Sequence, residues 1–227
     1  MLAIELFSMK PSPTTKRLMC PQCLRPQSAC ICQWVTPVAL ATEVLILQHP
    51  LEIYHAKNSA RLLHLSLLGS RILVGERWEA RQWDEALGLP KYTVLLYPPT
   101  AQVGQEPAPR PDPIRMKDPG QVRLVVIDAT WRKSRKMLHL NPGLQQLPRM
   151  ALDAVPSSRY LIRKAHKPGQ LSTLEATCAA LAQLGGGPAA FESLLTAFDG
   201  FVAQQAQFSR PQPQQFQETA PRYSQTD

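Results

Sequence analysis

The sequence predicts an α/β fold in which a mainly parallel sheet is flanked by helices. Short apolar runs rich in Val, Ile and Leu, bounded by Pro or Gly, are typical of strands buried on both faces. Helical patterns alternate with these runs, and such alternation favours a parallel sheet that binds ligands at the carboxyl ends of its strands. The predicted strands are residues 43–47, 71–74, 93–97 and 123–127.

Apolar side chains at helical spacing predict the elements between and after these strands. In residues 56–68, the side chains of Leu62, Leu65 and Leu68 fall on one stripe of a helix. Residues 191–208 have the pattern of a final amphipathic helix. Both helices would pack an apolar face against the sheet.

A capping box predicts one further helix, over residues 172–184. Ser172 is a good N-cap residue and Glu175 follows three positions later, so each side chain can bind the backbone N–H of the other residue. The GGGP sequence at 185–188 ends this helix, because glycine readily adopts the left-handed conformation found after helices.

The chain divides into an N-terminal segment (1–36), an α/β domain (37–208) and a Pro- and Gln-rich tail (209–227) that we expect to be disordered. Residues 98–119 hold seven prolines and are expected to form a long, extended loop. The apolar stretches are shorter than the roughly 18 residues of a membrane span, and the first residues lack the apolar block of a signal peptide. We therefore expect a cytoplasmic protein without membrane attachment.

Positive charge is concentrated in one part of the chain. The formal net charge is +8, and residues 131–167 hold nine Lys or Arg residues against one acid, Asp153. Such a surface suits a polyanion such as RNA, although a run of cations can also be a solvated surface with no partner.

Four cysteines lie within thirteen residues in the pattern C-x2-C-x6-C-x-C. Without an export signal, disulfides are not expected, whereas four thiolates complete a tetrahedral structural Zn²⁺ site. The alternative is a set of reduced cysteines without a metal. The predicted zinc ligands are Cys20, Cys23, Cys30 and Cys32.

Five motifs follow one another along residues 20–176: the cysteine cluster, HPLE with NSARLL (49–52, 58–63), YPPT (97–100), DATW (128–131), and SSRYLIRK with LSTLEA (157–164, 171–176). Together they resemble the motifs of the DTW-domain proteins, a family of tRNA-uridine aminocarboxypropyltransferases related to the SPOUT class of RNA-modifying enzymes. Ala129 stands between the acid and the threonine of the name-giving motif, and Ser59 replaces a threonine; both differences are conservative.

The resemblance implies an enzyme that transfers the 3-amino-3-carboxypropyl group of S-adenosylmethionine to N3 of a uridine in the variable loop of tRNA, releasing methylthioadenosine. It also implies a SPOUT-like domain over residues 37–208, with a knotted cofactor pocket in its C-terminal part. The expected partner is tRNA, and the motifs do not indicate an oligomeric state.

Asp128 is the candidate catalytic residue. Uridine N3 must lose a proton before it attacks, and a carboxylate at a strand end can act as a general base or as a hydrogen-bond orienting group. The alternative is that Asp128 only caps a helix over residues 130–140. On that helix, Arg132, Arg135 and Lys136 share one face with His139.

The remaining site residues follow from the matched motifs and the cationic segment. The residues expected to bind S-adenosylmethionine are Tyr97, Pro98, Pro99, Thr100, Thr130, Trp131, Leu171, Ser172, Thr173 and Glu175. The residues expected to bind RNA are Arg132, Lys133, Arg135, Lys136, Arg159, Arg163, Lys164 and Lys167. His49, Glu52, Asn58 and Arg61 match the early motif and are expected to line the same cleft, with no individual role assigned.

Two other functions remain open at this point. A SPOUT-type RNA methyltransferase would keep the fold and the cofactor but transfer the methyl group. A zinc-containing RNA-binding module without catalysis would need only the cysteine cluster and the cations.

Overall fold

The computed structural model describes residues 17–99, 108–160 and 170–208. All strand pairs of its sheet are parallel, and the order across the sheet is β2-β1-β4-β3-β5. The predicted parallel α/β fold is therefore confirmed. The five strands are β1 (Glu43–Gln48), β2 (Arg71–Val74), β3 (Tyr92–Leu96), β4 (Val122–Asp128) and β5 (Arg149–Met150).

Helices cover both faces of the sheet, because alternate side chains of each buried strand point to opposite sides. Val44, Ile46 and Leu124 face the layer that contains α1, α5 and α6, whereas Leu45 and Val125 face α2, α3 and α4. The helices are α1 (Ala60–Ser66), α2 (Ala80–Leu87), α3 (Trp131–Leu140), α4 (Pro142–Gln145), α5 (Thr173–Leu181) and α6 (Glu192–Phe208).

The topology predicts a ligand-binding crevice at the carboxyl ends of β1 and β4. The connection after β1 leads through α1 to β2 on one side, whereas the connection after β4 leads through α3 and α4 to β5 on the other side. Neighbouring strands whose connections leave in opposite directions form a topological switch point, where α/β proteins bind ligands. Gln48 and Asp128, the last residues of these two strands, are paired in register at this point.

The strand predictions agree with the structure to within one residue at each end. The short strand β5 and the helices α2 and α4 were not predicted. Strand β5 has two residues, α4 has four, and α2 contains no buried residue. None of the three therefore carries an apolar pattern strong enough to be recognised.

The predicted leucine stripe of residues 56–68 is wrong in part. Helix α1 is shorter than that range, and Leu68 lies beyond its end with an exposed side chain. The leucines that α1 and its C-cap bury are Leu62, Leu63 and Leu67. The helix ends early because Leu67 adopts an extended backbone conformation.

Two 3-10 helices, Arg115–Lys117 and Pro119–Gln121, interrupt the predicted extended loop over residues 98–119. Residues 100–107 of that loop and the predicted disordered tail lie outside the described residues. In the ranges that the structure covers, no helix combines the length and the apolar character needed to cross a membrane.

Glycine at position 200 is required by close packing, because a Cβ atom there would overlap the ring of Trp34. We expect Gly200→Ala to lower the free energy of unfolding by about 1–3 kcal/mol through overpacking, measured by urea denaturation. Gly143→Ala is the control, since its Cβ would lie 3.7 Å from the nearest atom, Nε1 of Trp83. Stabilisation by Gly200→Ala, as for an exposed helical glycine, would contradict this packing.

A buried ion pair at the amino end of the sheet predicts a pH dependence of stability. Arg123 is almost fully buried and donates two hydrogen bonds to Glu43, at 3.0 and 3.1 Å. Burial alone would raise the pKa of Glu43, but hydrogen bonds from Arg123 and Arg71 outweigh it and lower that pKa. A lowered carboxyl pKa stabilises the fold above the unfolded-state pKa, and this stabilisation is lost as the pH falls through the folded-state pKa.

We therefore expect Glu43→Gln to lower the free energy of unfolding by about 3 kcal/mol near neutral pH, because a buried guanidinium loses its partner. The difference from the parent protein should shrink as the pH falls below about 4, where the parent carboxylate is also protonated. Urea denaturation of both proteins at several pH values measures this difference in the free energy of unfolding. Glu85→Gln, which removes an exposed pair with Arg81, is the control and should change stability by less than about 1 kcal/mol. An equal effect of both variants at all pH values would refute the interpretation.

Candidate active site

The carboxylate of Asp128 lies at the switch point and connects three parts of the chain. Its Oδ2 atom accepts hydrogen bonds from Gln48 Nε2 at 3.0 Å and from Asn58 Nδ2 at 2.6 Å, and its Oδ1 atom accepts one from Thr173 Oγ1 at 2.8 Å. The donors come from the end of β1, from the loop before α1 and from the start of α5. Asp128 therefore fixes the relative positions of the elements around the crevice.

Burial dominates the electrostatics of Asp128, whose residue surface is only 4% exposed. Desolvation raises the pKa of its carboxyl, hydrogen bonds from Gln48, Thr173 and Asn58 lower it in part, and the nearby charge of Glu52 raises it further. The net shift is upward. The chain thus holds a carboxylate where ionisation is unfavourable, which is common at functional sites.

The capping alternative for Asp128 is wrong. Thr130 is the N-cap of α3, and its side chain accepts a hydrogen bond from Lys133 N at 3.4 Å. Asp128 is the last residue of β4 and bonds to none of the first N–H groups of this helix among the described residues. Its side chain instead binds the end of β1, the loop before α1 and the start of α5.

Two aromatic rings form a wall beside this carboxylate. The rings of Tyr97 and Trp131 meet edge to face, with centroids 5.8 Å apart. Tyr97 is buried and its hydroxyl lies 3.1 Å from Ser134 Oγ, whereas Trp131 is 49% exposed. A buried ring that supports a half-exposed one leaves a flat apolar surface suited to a planar ligand.

The start of α5 forms the opposite side of the crevice. The predicted capping box is confirmed: Ser172 Oγ accepts from Glu175 N at 3.2 Å and Glu175 accepts from Ser172 N at 2.8 Å. Glu175 also accepts from Ser158 Oγ at 3.1 Å and from Arg159 N at 2.6 Å. Its two oxygens therefore bind three donors within the chain, and it holds the 158–159 segment against α5.

The residues around Asp128 fit in part the S-adenosylmethionine that the resemblance implies. The N–H of Thr173 has no acceptor among the described residues, so the start of α5 retains one donor for a carboxylate. The Tyr97 and Trp131 rings suit a purine. Glu175, in contrast, already has three of its roughly four acceptor sites occupied within the chain.

His49 and Glu52 lie beside the crevice in ion-pair networks with α3. His49 Nδ1 accepts from Leu51 N at 3.1 Å, which places the proton of a neutral ring on Nε2, 3.1 Å from Glu76. Glu76 also accepts from Lys136 Nζ at 2.8 Å, and the hydrogen bonds from Lys136 and His49 lower the pKa of Glu76 although burial raises it. Glu52 accepts from Lys133 Nζ at 2.8 Å.

The cations of the basic segment fall into two groups. Lys133 and Lys136 pair with Glu52 and Glu76, and Arg159 pairs with Asp199 at 3.0 Å and Glu192 at 3.3 Å. Arg132 and Arg135 are exposed and form no ion pair with any described residue. Acids outside the segment thus neutralise part of its charge, while the two arginines remain available to an anion. Arg163, Lys164 and Lys167 lie outside the described residues, as does Thr100.

The four cysteines form a cluster that could hold a metal ion, with all sulfurs within 4.8 Å of one another. The Cys20–Cys32 and Cys23–Cys30 sulfur distances are 3.6 and 3.8 Å. A tetrahedral zinc ion with bonds of about 2.3 Å places its sulfurs about 3.8 Å apart, so the geometry fits. Backbone N–H groups of Cys23 and Gln22 lower the pKa of the Cys20 thiol to about 6, which favours the thiolate that metals bind, whereas burial raises the pKa of the Cys32 thiol.

Sequence reasoning missed Gln48 and left Asn58 without a role. Both donate to Asp128, from positions 80 and 70 residues away. A polar residue at the end of an otherwise apolar strand was the available signal for Gln48. The register that places Gln48 beside Asp128 is a property of the folded sheet and is not encoded in any local pattern.

The fold and the site together define an α/β protein with a ligand crevice at the carboxyl edge of a parallel sheet, supported by a four-cysteine cluster. The chain belongs to the DTW domain family, whose model matches residues 17–206. No solved structure matches the chain.

Three curated relatives illustrate the similarity. The chain is 30% identical over 200 residues to "tRNA-uridine aminocarboxypropyltransferase 2" of Drosophila melanogaster, covering 85% of this chain and 76% of the relative. It is 26% identical over 211 residues to the protein of the same name from Macaca fascicularis, covering 90% and 69%. It is 31% identical over 139 residues to "tRNA-uridine aminocarboxypropyltransferase A" of Arabidopsis thaliana, covering 54% and 51%.

The raised pKa of Asp128 predicts how its replacement changes stability. A carboxyl whose folded-state pKa lies above its unfolded value favours the fold most at low pH, and this contribution is lost as the pH rises through the folded-state pKa. We expect Asp128→Asn to be at least as stable as the parent near pH 8, with the difference moving in favour of the parent towards about pH 4. Urea denaturation across this range measures it.

Asp128→Ala is the matched comparison. It leaves Gln48, Asn58 and Thr173 without their acceptor, so it should be about 1–3 kcal/mol less stable than Asp128→Asn. Equal stability of the two variants would show that these hydrogen bonds do not hold the crevice together.

Proposed function

We propose that this protein is a tRNA-uridine aminocarboxypropyltransferase. It transfers the 3-amino-3-carboxypropyl group of S-adenosylmethionine to N3 of a uridine in the variable loop of tRNA and releases methylthioadenosine. The observation that carries the proposal is the family match over residues 17–206, with relatives of that name across most of the chain. The buried carboxylate of the DATW motif at the switch point supports it.

The proposal assigns the donor to the crevice between Trp131 and α5. The residues proposed to bind it are those of the matched motifs: Tyr97, Pro98, Pro99, Thr100, Thr130, Trp131, Leu171, Ser172 and Thr173. The donor supplies a carbon attached to a sulfonium, which is a good leaving group. Glu175 acts here as a positioning residue, because its oxygens already bind Ser158, Arg159 and Ser172.

Asp128 has an orienting role in this proposal. A carboxylate that is buried and accepts three hydrogen bonds is poorly placed to take a proton from groups exposed to solvent. It can, however, hold its hydrogen-bond donors in fixed positions. Thr173 and Asn58 are the groups that it holds. As the uracil ring approaches, its N3–H replaces one of these hydrogen bonds, and Asp128 then accepts the proton that N3 loses as the N3–C bond forms and the C–S bond breaks.

Other parts of the chain complete the proposal. The cysteine cluster holds a structural Zn²⁺, the C-terminal part of the domain forms a SPOUT-like knotted pocket, and the protein acts on tRNA in the cytoplasm. The parallel sheet and the position of the crevice at its carboxyl edge support the SPOUT-like assignment. Residues 37–208 are the catalytic domain, and residues 1–36 carry the cluster.

The methyltransferase and the non-catalytic RNA-binding module are not favoured. The relatives are named for aminocarboxypropyl transfer. A binding module would also give no reason for the buried Asp128 network, which brings together three motifs at the switch point.

Isotope labelling separates the three functions. We expect tRNA incubated with the protein to gain label from S-adenosylmethionine carrying ¹⁴C in its carboxyl group and none from methyl-labelled donor. Label from the methyl group alone would identify a methyltransferase. Absence of both labels from tRNA that binds the protein would identify a non-catalytic module.

The free arginines of α3 predict the salt dependence of tRNA binding. Each neutralised phosphate contributes about 0.7–0.9 to the slope of log affinity against log salt concentration. Replacing Arg132 and Arg135 by Gln should therefore reduce the slope by about 1.5, measured by filter binding at several salt concentrations. The control, Arg115→Gln with Lys117→Gln, removes the same charge at the amino edge of the sheet and should leave the slope nearly unchanged. Equal slopes for both double variants would exclude this face of α3 from RNA binding.

A further inference from the structure

The segment that follows the first two cysteines has a defined geometry. Cys20 N donates to Arg25 O at 2.7 Å and Leu24 N donates to Cys20 O at 2.9 Å, which closes a tight turn around the cluster. Leu24 has a φ of +58°, a conformation that costs a branched residue about 1 kcal/mol and persists where the surroundings impose it. This turn directs the side chain of Arg25 into the protein.

The guanidinium of Arg25 binds the loop that precedes α1. Its Nη1 atom donates to Ala56 O at 2.6 Å and its Nη2 atom donates to Asn58 O at 2.9 Å. The residue is 8% exposed, and its Cζ atom lies 5.1 Å from the centre of the Phe201 ring on α6. One rigid side chain therefore joins the cysteine turn, the loop and α6.

No described acid forms an ion pair with this buried cation. Four thiolates around Zn²⁺ carry a net charge of −2, and Cys23 lies two residues from Arg25. A loaded cluster would therefore place negative charge on the same turn as this guanidinium. This complementarity is a reason for arginine at position 25 in addition to its hydrogen bonds.

Asn58 transmits the constraint to the candidate active site. Its carbonyl accepts from Arg25, while its side-chain Nδ2 donates to Asp128 at 2.6 Å and its Oδ1 accepts from Arg61 N at 3.1 Å. The amide is thus held in one orientation. Arg61 also donates from Nη2 to Gln22 O, which gives the cysteine turn a second connection to the same loop.

We propose that Arg25 is a positioning residue through which the four-cysteine cluster holds Asn58, and hence Asp128, in the arrangement needed for group transfer. The metal then acts on the chemical step and not only on RNA docking. This inference rests on the proposed function for its kinetic test, while its structural test is independent of activity.

The kinetic test compares Arg25→Lys with the control Arg81→Lys, an equally conservative change on α2. We expect Arg25→Lys to bind zinc and tRNA as the parent does but to have a kcat about 10–100-fold lower, as for other outer contacts of a metal site. Metal content is measured by mass spectrometry and tRNA affinity by filter binding. Unchanged kcat, or a loss confined to tRNA affinity, would overturn the proposal.

The structural test uses hydrogen–deuterium exchange and needs no activity. In Arg25→Lys, and in the parent protein after removal of zinc with a chelator, amides of residues 55–61 should exchange at least about tenfold faster. Amides of α2 should not change. The measurement on the zinc-free parent protein tests the proposal even if the variant does not fold. Unchanged exchange at residues 55–61 after zinc removal would overturn the proposal even if the protein proves to be a transferase.

Discussion

The buried carboxylate of Asp128 is the interaction on which the rest of the site depends. The sheet places it at the switch point, opposite Gln48, and three hydrogen bonds join it to β1, the loop before α1 and α5. A charged group in this position opposes folding through desolvation, and the fold compensates with donors from three separate parts of the chain. Such an arrangement is understandable where function requires the carboxylate.

The cysteine cluster is part of the same construction. Trp34 packs against Gly200 of α6, Gln204 of that helix donates to Cys30 O at 3.0 Å, and Arg25 reaches the loop that carries Asn58. The cluster also contributes Cys23 and Ile31 to the core on the α5 and α6 side of the sheet. A cysteine segment attached in this way holds together the elements around the site.

Local patterns predicted the features that depend on few neighbours. Buried strands, the Ser172–Glu175 capping box and the cysteine spacing each involve residues close in sequence. The contacts of Asp128 with Gln48 and Asn58 join residues 80 and 70 positions apart, so no pattern reveals them. The same limit applies to charge, because distant acids pair with Lys133, Lys136 and Arg159 within the basic segment.

The most direct test of the account is single-turnover transfer of carboxyl-labelled donor to tRNA by the parent protein and by Asp128→Asn. The variant keeps the shape of the side chain and two or more of its hydrogen bonds, so folding and tRNA binding should persist. The account predicts that the parent labels tRNA and that the variant does so at least about 100-fold more slowly. Transfer by Asp128→Asn at the rate of the parent would contradict it.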